Sequence, residues 1–178
     1  MHDPALIAFR PLCMDDLPRV SGWLAAGPAR RWFARRDMTY EEVADHFGPI
    51  IRGERPTLGY IVIYAGEPAG YVQTYRLRDH PRYWRALQVE PGAAGLDLFI
   101  GREDLLYQGL GAAVARRFLR EVVFGATDAS TCVVGPDPQN RAAIRAYEKA
   151  GFRYLKTVRI PDEGSLEYVM QADRADFE

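Results

Sequence analysis

The chain has 178 residues, 48% of them hydrophobic and 26% charged, with a net charge of −1. That length suits a single domain, residues 1–178, with a substantial core. The balanced charge excludes the basic face expected of a nucleic-acid binder. Cys13 and Cys132 are far apart and lack a paired neighbour, so a disulfide framework is not expected. His2, His46 and His80 are scattered, so no metal is expected. Met1-His2-Asp3-Pro4 lacks the basic segment and apolar run of a signal peptide, and the apolar runs are too short to span a bilayer. A cytoplasmic protein with no membrane association, monomeric or homodimeric, is expected.

In chain order, Ile7 to Leu12 predicts a strand. Asp15 or Asp16 can cap a helix carrying Leu17, Val20, Trp23 and Leu24 on one face. After Gly27-Pro28 comes a basic stretch, Arg30-Arg31-Trp32-Phe33-Ala34-Arg35-Arg36, expected as a loop. Thr39 and Glu42 form a capping box ahead of Val43, Phe47, Ile50 and Ile51 at helical spacing. Leu58–Ala65 and Ala69–Arg78 predict a hairpin turning at Gly66-Glu67. Asp79 to Gly95 reads as a long loop, of the kind that carries function. Then follow a strand (Leu96–Ile100), a helix (Gly109 to about Phe124), a strand (Ser130–Val134) ended by Gly135-Pro136, and a helix (Asn140–Ala150) closed by Gly151. Phe152–Ile160 and Leu166–Gln171 predict two last strands. The order β-α-α-β-β-β-α-β-α-β-β gives an α/β class, a mixed sheet with helices on both faces.

Two features carry chemistry. Gly109 and Gly111 flank a helix start just after a strand. Glycine lets backbone approach an anion, and a helix N-terminus offers unpaired N–H groups and a favourable dipole. The same pair also suits a helix entered through a flexible turn. Asp97 interrupts Leu96-Asp97-Leu98-Phe99-Ile100, a run that should be buried. A carboxylate there must be paired, face a wet cleft, or lie on the polar face of a half-buried strand.

With these residues the chain resembles the GNAT N-acetyltransferases over nearly its whole length. Asn140, Ala143, Tyr147, Glu148, Gly151 and Phe152 match in full the family's N-x-x-A-x-x-x-Y-E-x-x-G-F motif. Its pyrophosphate motif, Q/R-x-x-G-x-G/A, is matched at Gly109 and Gly111 but departs at Leu106. The resemblance implies the GNAT fold, with a mostly antiparallel central sheet splayed between two parallel strands. It implies acetyl-CoA as co-substrate. The backbone of Leu98, Phe99 and Ile100 would pair with the pantetheine arm. Backbone N–H groups of Tyr107, Gln108, Gly109, Leu110, Gly111 and Ala112 would hold the pyrophosphate. Asn140 would bond the pantetheine or a nearby backbone group. Tyr147 would sit beside the thioester sulfur, although its spacing from Ile144 also fits a core aromatic.

Within that family the likeness is greatest to the aminoglycoside 6′-N-acetyltransferases. It is carried by Gly70-Tyr71-Val72-Gln73-Thr74-Tyr75, Tyr83-Trp84, the run Glu90 to Asp97, Gln108-Gly109-Leu110-Gly111, and Pro161-Asp162-Glu163-Gly164. This implies Asp97 as base and Tyr147 as acid in direct transfer to a primary amine. Trp32, Gln73, Tyr75 and Trp84 would line the sugar and Glu90 would hold a second ammonium, with Asp137 and Asp162 also on the acceptor side. For Trp32 and Trp84 ordinary packing is as good a reading, and for Glu90 a solvated loop acid. Two departures stand out. Gly135 occupies a position where those enzymes often carry an acid, which Asp137 could replace. Arg30, Arg31, Arg35 and Arg36 crowd a loop that should meet a cation, unless they point away or pair with Asp37, Glu41 and Asp45. Other readings left open are a lysine-type side-chain N-acyltransferase of siderophore assembly, protein N-terminal acetylation, and a non-catalytic acyl-CoA-binding module.

Overall fold

Local signals in the sequence start most elements of the computed structural model, which describes residues 2–161 and 163–178. Strand β1 (Ile7–Pro11) leads to helix α1 (Leu17–Leu24), which buries Leu17, Val20 and Leu24. Helix α2 (Tyr40–Ile51) begins at a complete capping box. The Thr39 hydroxyl accepts the Glu42 N–H at 3.2 Å, and the Glu42 carboxylate accepts the Thr39 N–H at 2.8 Å. Strands β2 (Thr57–Tyr64) and β3 (Glu67–Arg76) form the expected hairpin. Its turn is Ala65-Gly66, with φ of 51° and 83°, one residue earlier than expected. Two left-handed residues match the twist of the paired strands.

Two segments expected as loops are helical. Ala29–Ala34 is one π-helical turn, closed by Arg35 in the left-handed region at φ 63°. Within Asp79–Gly95, helix α3 (Pro81–Leu87) takes up seven residues. Pro81 stands in its first turn, where a missing N–H costs nothing. Strand β4 (Ala94–Ile100) follows. Helix α4 (Leu110–Phe118) runs on through a π-helical turn, Leu119–Val123, into a last turn, α5 (Phe124–Ala126). Strand β5 (Thr131–Val134), helix α6 (Arg141–Ala150), and strands β6 (Arg153–Arg159) and β7 (Leu166–Asp173) complete the chain.

Among the described residues seven strands form one mixed sheet in the order β1-β2-β3-β4-β5-β7-β6. The chain divides into two compact units, Met1–Gln73 with Asp97–Leu110, and Thr74–Leu96 with Gly111–Glu178. In the first unit, β1 and β2 pair antiparallel from Ile7↔Tyr64 to Pro11↔Tyr60. Its core joins Leu17, Val20 and Leu24 of α1, Val43, Phe47 and Ile50 of α2, and Ile61, Tyr71 and Phe99 of the sheet. Each such side chain contributes about 1.5–3 kcal/mol on leaving water. In the second unit, β4 pairs parallel with β5 through Ala94↔Cys132 and Gly95↔Val133. β7 pairs antiparallel with both β5 and β6. Leu77, Leu87, Ala93, Val133, Ile160 and Val169 form a core cluster there.

Candidate active site

In the first unit, side-chain alternation puts Tyr71 and Gln73 of β3 on one face, where Phe99 and Asp97 of β4 meet them. Gln73 Nε2 donates to Asp97 Oδ2 at 2.9 Å, and the Tyr71 hydroxyl donates to Gln73 Oε1 at 2.8 Å. Tyr71 is fully buried. Burial first, and then the negative charge of Asp97, push its hydroxyl far above the ordinary range. It therefore remains a donor and fixes which end of the Gln73 amide faces Asp97. Its ring packs against Phe47 at 5.1 Å and Phe99 at 5.8 Å. Two glycines allow this layer. A side chain at Gly59 would meet the Tyr71 hydroxyl, and one at Gly70 would strike the Phe99 carbonyl. Tyr71 is the residue that sequence reasoning missed; its place two residues before Gln73 on one strand was the available signal.

Trp32 is half-buried on the π-helical turn, with the Arg31 guanidinium 4.4 Å from its ring centroid. Of the crowded arginines, Arg30 pairs with Asp37 at 2.7 Å and Arg36 with Glu42 at 3.0 Å. These exposed pairs contribute little to stability but offset the local positive charge.

The segment entering α4 contains two left-handed residues. Tyr107 and Gly109 have φ of 58° and 90°, and Tyr107 is 79% exposed. A tyrosine held in the left-handed region is uncommon, and such strain gathers at ligand-binding turns. Nothing lies within 4 Å of a Cβ built at Gly109, so its φ is what calls for glycine. The first turn of α4 carries no acidic side chain, and its first N–H groups have no partner within the helix. Gln108 is exposed and its side-chain amide donates to the Asp104 carbonyl at 2.6 Å. Leu110 and Ala112 are buried and anchor the turn, while Gly111 is half-buried. Leu98 and Ile100 of β4 are also half-buried.

In the second unit, Asn140 caps α6, its Oδ1 accepting the Ala143 N–H at 3.2 Å. Tyr147 is 8% exposed and meets Phe152 edge-on at 5.4 Å. Gly151 closes the helix at φ 111°. Tyr75 lies across Gly95, where any side chain would collide with its ring, and meets His80 at 4.7 Å. The Trp84 indole N–H donates to the Val89 carbonyl at 2.8 Å, and its partly buried ring packs on the core. Glu90 is exposed and accepts hydrogen bonds from the Ser130 and Thr131 hydroxyls. Asp137 Oδ1 accepts the Gln139 N–H at 2.8 Å, closing the turn before α6. Asp162 lies outside the described residues. Among the described residues no three His, Cys, Asp or Glu side chains gather to hold a metal, and no helix is long and apolar enough to cross a membrane.

The model of the GNAT acetyltransferase domain matches residues 13–160. The chain belongs to this acyltransferase family. The aminoglycoside N(6′)-acetyltransferase type 1 of Klebsiella pneumoniae is 29% identical over 171 residues, 95% of this chain and 84% of that protein. A kanamycin resistance protein of Rhizobium radiobacter is 34% identical over 99 residues, 56% of this chain and 89% of that one. Among solved structures, AAC(6′)-Ib in complex with paromomycin and acetyl-CoA has a TM-score of 0.87 at 28% identity, covering 96% of this chain and 95% of that one. AAC(6′)-Ib with coenzyme A and kanamycin gives 0.85 at 30% identity, covering 96% of each chain. The mixed sheet with its one parallel pair is the GNAT fold.

Proposed function

We propose that this protein transfers the acetyl group of acetyl-CoA to the 6′-amine of an aminoglycoside, directly and without an acyl-enzyme. The observation that carries the reading is the hydrogen-bonded row Tyr71–Gln73–Asp97 in a chain whose relatives of near-equal length are aminoglycoside N(6′)-acetyltransferases. An alkylamine is cationic at neutral pH, with a pKa near ~10. Asp97, oriented by Gln73, attracts the ammonium and takes its proton, directly or through one water. The freed nitrogen then attacks the thioester carbonyl; a C–N bond forms, the C–S bond breaks, Tyr147 gives its proton to the leaving thiolate, and the surplus proton on the new amide nitrogen returns through water to the Tyr147 phenolate, while Asp97 releases its proton to solvent. The turn from Tyr107 to Ala112 holds the pyrophosphate, and the backbone of Leu98 to Ile100 holds the pantetheine arm. Trp32, Tyr75, Trp84, Glu90, Asp137 and Asp162 belong to the acceptor side. The family match runs through both units, which supports a single catalytic domain. Working on a cytosolic thioester, the enzyme belongs in the cytoplasm.

The test mixes purified protein and acetyl-CoA with kanamycin or tobramycin, lysine derivatives, and peptides with free N-termini, and follows thiol release. Turnover with the aminoglycosides is expected. Turnover confined to lysine derivatives or peptides would refute the acceptor, and tight acetyl-CoA binding with no turnover on any amine would refute the activity.

A further inference from the structure

Behind Asp97, three neighbouring strands supply a chain of contacts: Gly59 on β2, Tyr71 and Gln73 on β3, and Asp97 on β4. The two ends of a glutamine amide are alike in size and differ in that the oxygen accepts and the nitrogen donates. Its bonds therefore decide which way Gln73 lies. Asp97 takes the N–H end and the Tyr71 hydroxyl holds the oxygen end. While Asp97 is a carboxylate, its own bond already favours that orientation. Once Asp97 has taken a proton it becomes a donor, and a turned amide would offer it an oxygen. Tyr71 opposes the turn. Gln73 is the one hydrogen-bond partner of its hydroxyl among the described residues, so a turned amide would leave a buried phenolic hydrogen without an acceptor. The hydroxyl lies where it does because residue 59 has no side chain: a Cβ there would stand 2.6 Å from its oxygen. Phe47 and Phe33 meet the ring edge-on.

We propose that Gly59 and Tyr71 are positioning residues for Asp97: Gly59 leaves room for the Tyr71 hydroxyl, and Tyr71 keeps the Gln73 amide from turning, so that a protonated Asp97 finds no acceptor in Gln73 and gives its proton to solvent. This rests on the reading of Asp97 as the base of an acetyl transfer. Both residues act through Gln73 rather than on the substrate. The side chains that α1, α2 and the π-helical turn pack onto this layer, Leu17, Val20, Leu24, Val43, Phe47 and Phe33, carry no charge, and from β3 the Tyr71 phenol and the Gln73 amide face Asp97. Burial keeps the phenol un-ionised, so its hold on Gln73 does not change with pH.

The experiment measures kcat/KM for kanamycin against pH in Tyr71→Phe and Gly59→Ala, each made in the wild-type chain and in Gln73→Leu. A base whose protonated form gains a partner loses activity at low pH and recovers it at high pH. Tyr71→Phe should therefore lower kcat/KM about threefold to tenfold on the acidic limb, the effect of one neutral hydrogen bond, and leave the alkaline plateau close to wild type. Gly59→Ala, which pushes the hydroxyl off Gln73, should do the same. In the Gln73→Leu background neither change should displace the limb further, because the amide they act through is gone. Acetyl-CoA binding by calorimetry counts the folded protein in each variant, and if Tyr71→Phe does not fold, Gly59→Ala carries the same comparison. A loss equal at all pH values, no loss, or an equal displacement in Gln73→Leu overturns the proposal and leaves the acetyltransferase reading intact. Wild-type protein that acetylates no aminoglycoside overturns that reading, and the proposal with it.

Discussion

The Gln73 amide has only one orientation open to it, because the buried Tyr71 hydroxyl must donate and so claims the carbonyl end. The N–H end is thereby aimed at Asp97. Asp97→Asn keeps the shape and removes the proton acceptor. It should lower kcat with kanamycin by about 10²–10⁴-fold, the usual contribution of a positioned base. Acetyl-CoA affinity from calorimetry should barely move; an unchanged rate would take Asp97 out of the reaction. Gln73→Leu should cost less and should also shift the acidic limb of the kcat/KM profile, a displacement that mere loss of packing would not produce. Tyr147→Phe should give the smallest loss, because water can also protonate a thiolate with a pKa near ~8.5.

At the scale of elements, helices whose ends are written in side chains were legible beforehand. Thr39 with Glu42, and Asn140 with Gly151, mark α2 and α6 to the residue. α3 was not legible. Its seven residues are too few for a periodicity to show, and helices this short hold through packing rather than propensity. The packing comes from Leu87, Tyr83 and Trp84 on a core assembled from distant strands. For the same reason Gln73 and Asp97 were legible as candidates on their own strands, whereas the close approach of Glu167 to Gly135, made only through strand pairing, was not. Asp16 shows the limit of cap rules. It is one of the two residues expected to cap α1 and stands at its N-cap position, but its carboxylate instead accepts the Cys13 N–H at 2.9 Å and both Arg10 amino groups, at 2.9 and 2.7 Å. Burial alone would raise its pKa, but the bonds from Arg10 and from the Cys13 backbone outweigh it, and the net shift is downward. A depressed carboxylate stabilises the fold above the unfolded value, near ~3.9, and loses that effect as pH falls through the lower folded value. Asp16→Asn should therefore cost about 1–3 kcal/mol at pH 7. Urea titrations should show the gap from wild type narrowing once the pH drops below about 4.

For the molecule as a whole, the question is whether the two units unfold together. β3 runs from Glu67 to Arg76 and β4 from Ala94 to Ile100, so the unit boundaries, after Gln73 and after Leu96, fall inside both strands. A strand that loses half its residues loses the ladder that defines the other half, which couples the units through continuous backbone. One transition is expected, and the tryptophans can report it separately. Trp23 and Trp32 stand in the first unit and Trp84 in the second. Trp84→Phe leaves the first pair as reporters, and Trp23→Phe with Trp32→Phe leaves Trp84. The fluorescence midpoint of each variant should coincide with its own far-UV dichroism midpoint. Acetyl-CoA at about 100 times its Kd adds about 2.7 kcal/mol if it binds only the folded state. For a chain of this size that raises Tm by about 5–11 °C. Both reporters should rise together, because one transition is expected. Two separated midpoints, or a ligand shift felt by one reporter alone, would mean that the units fold independently and that the thioester engages only one of them.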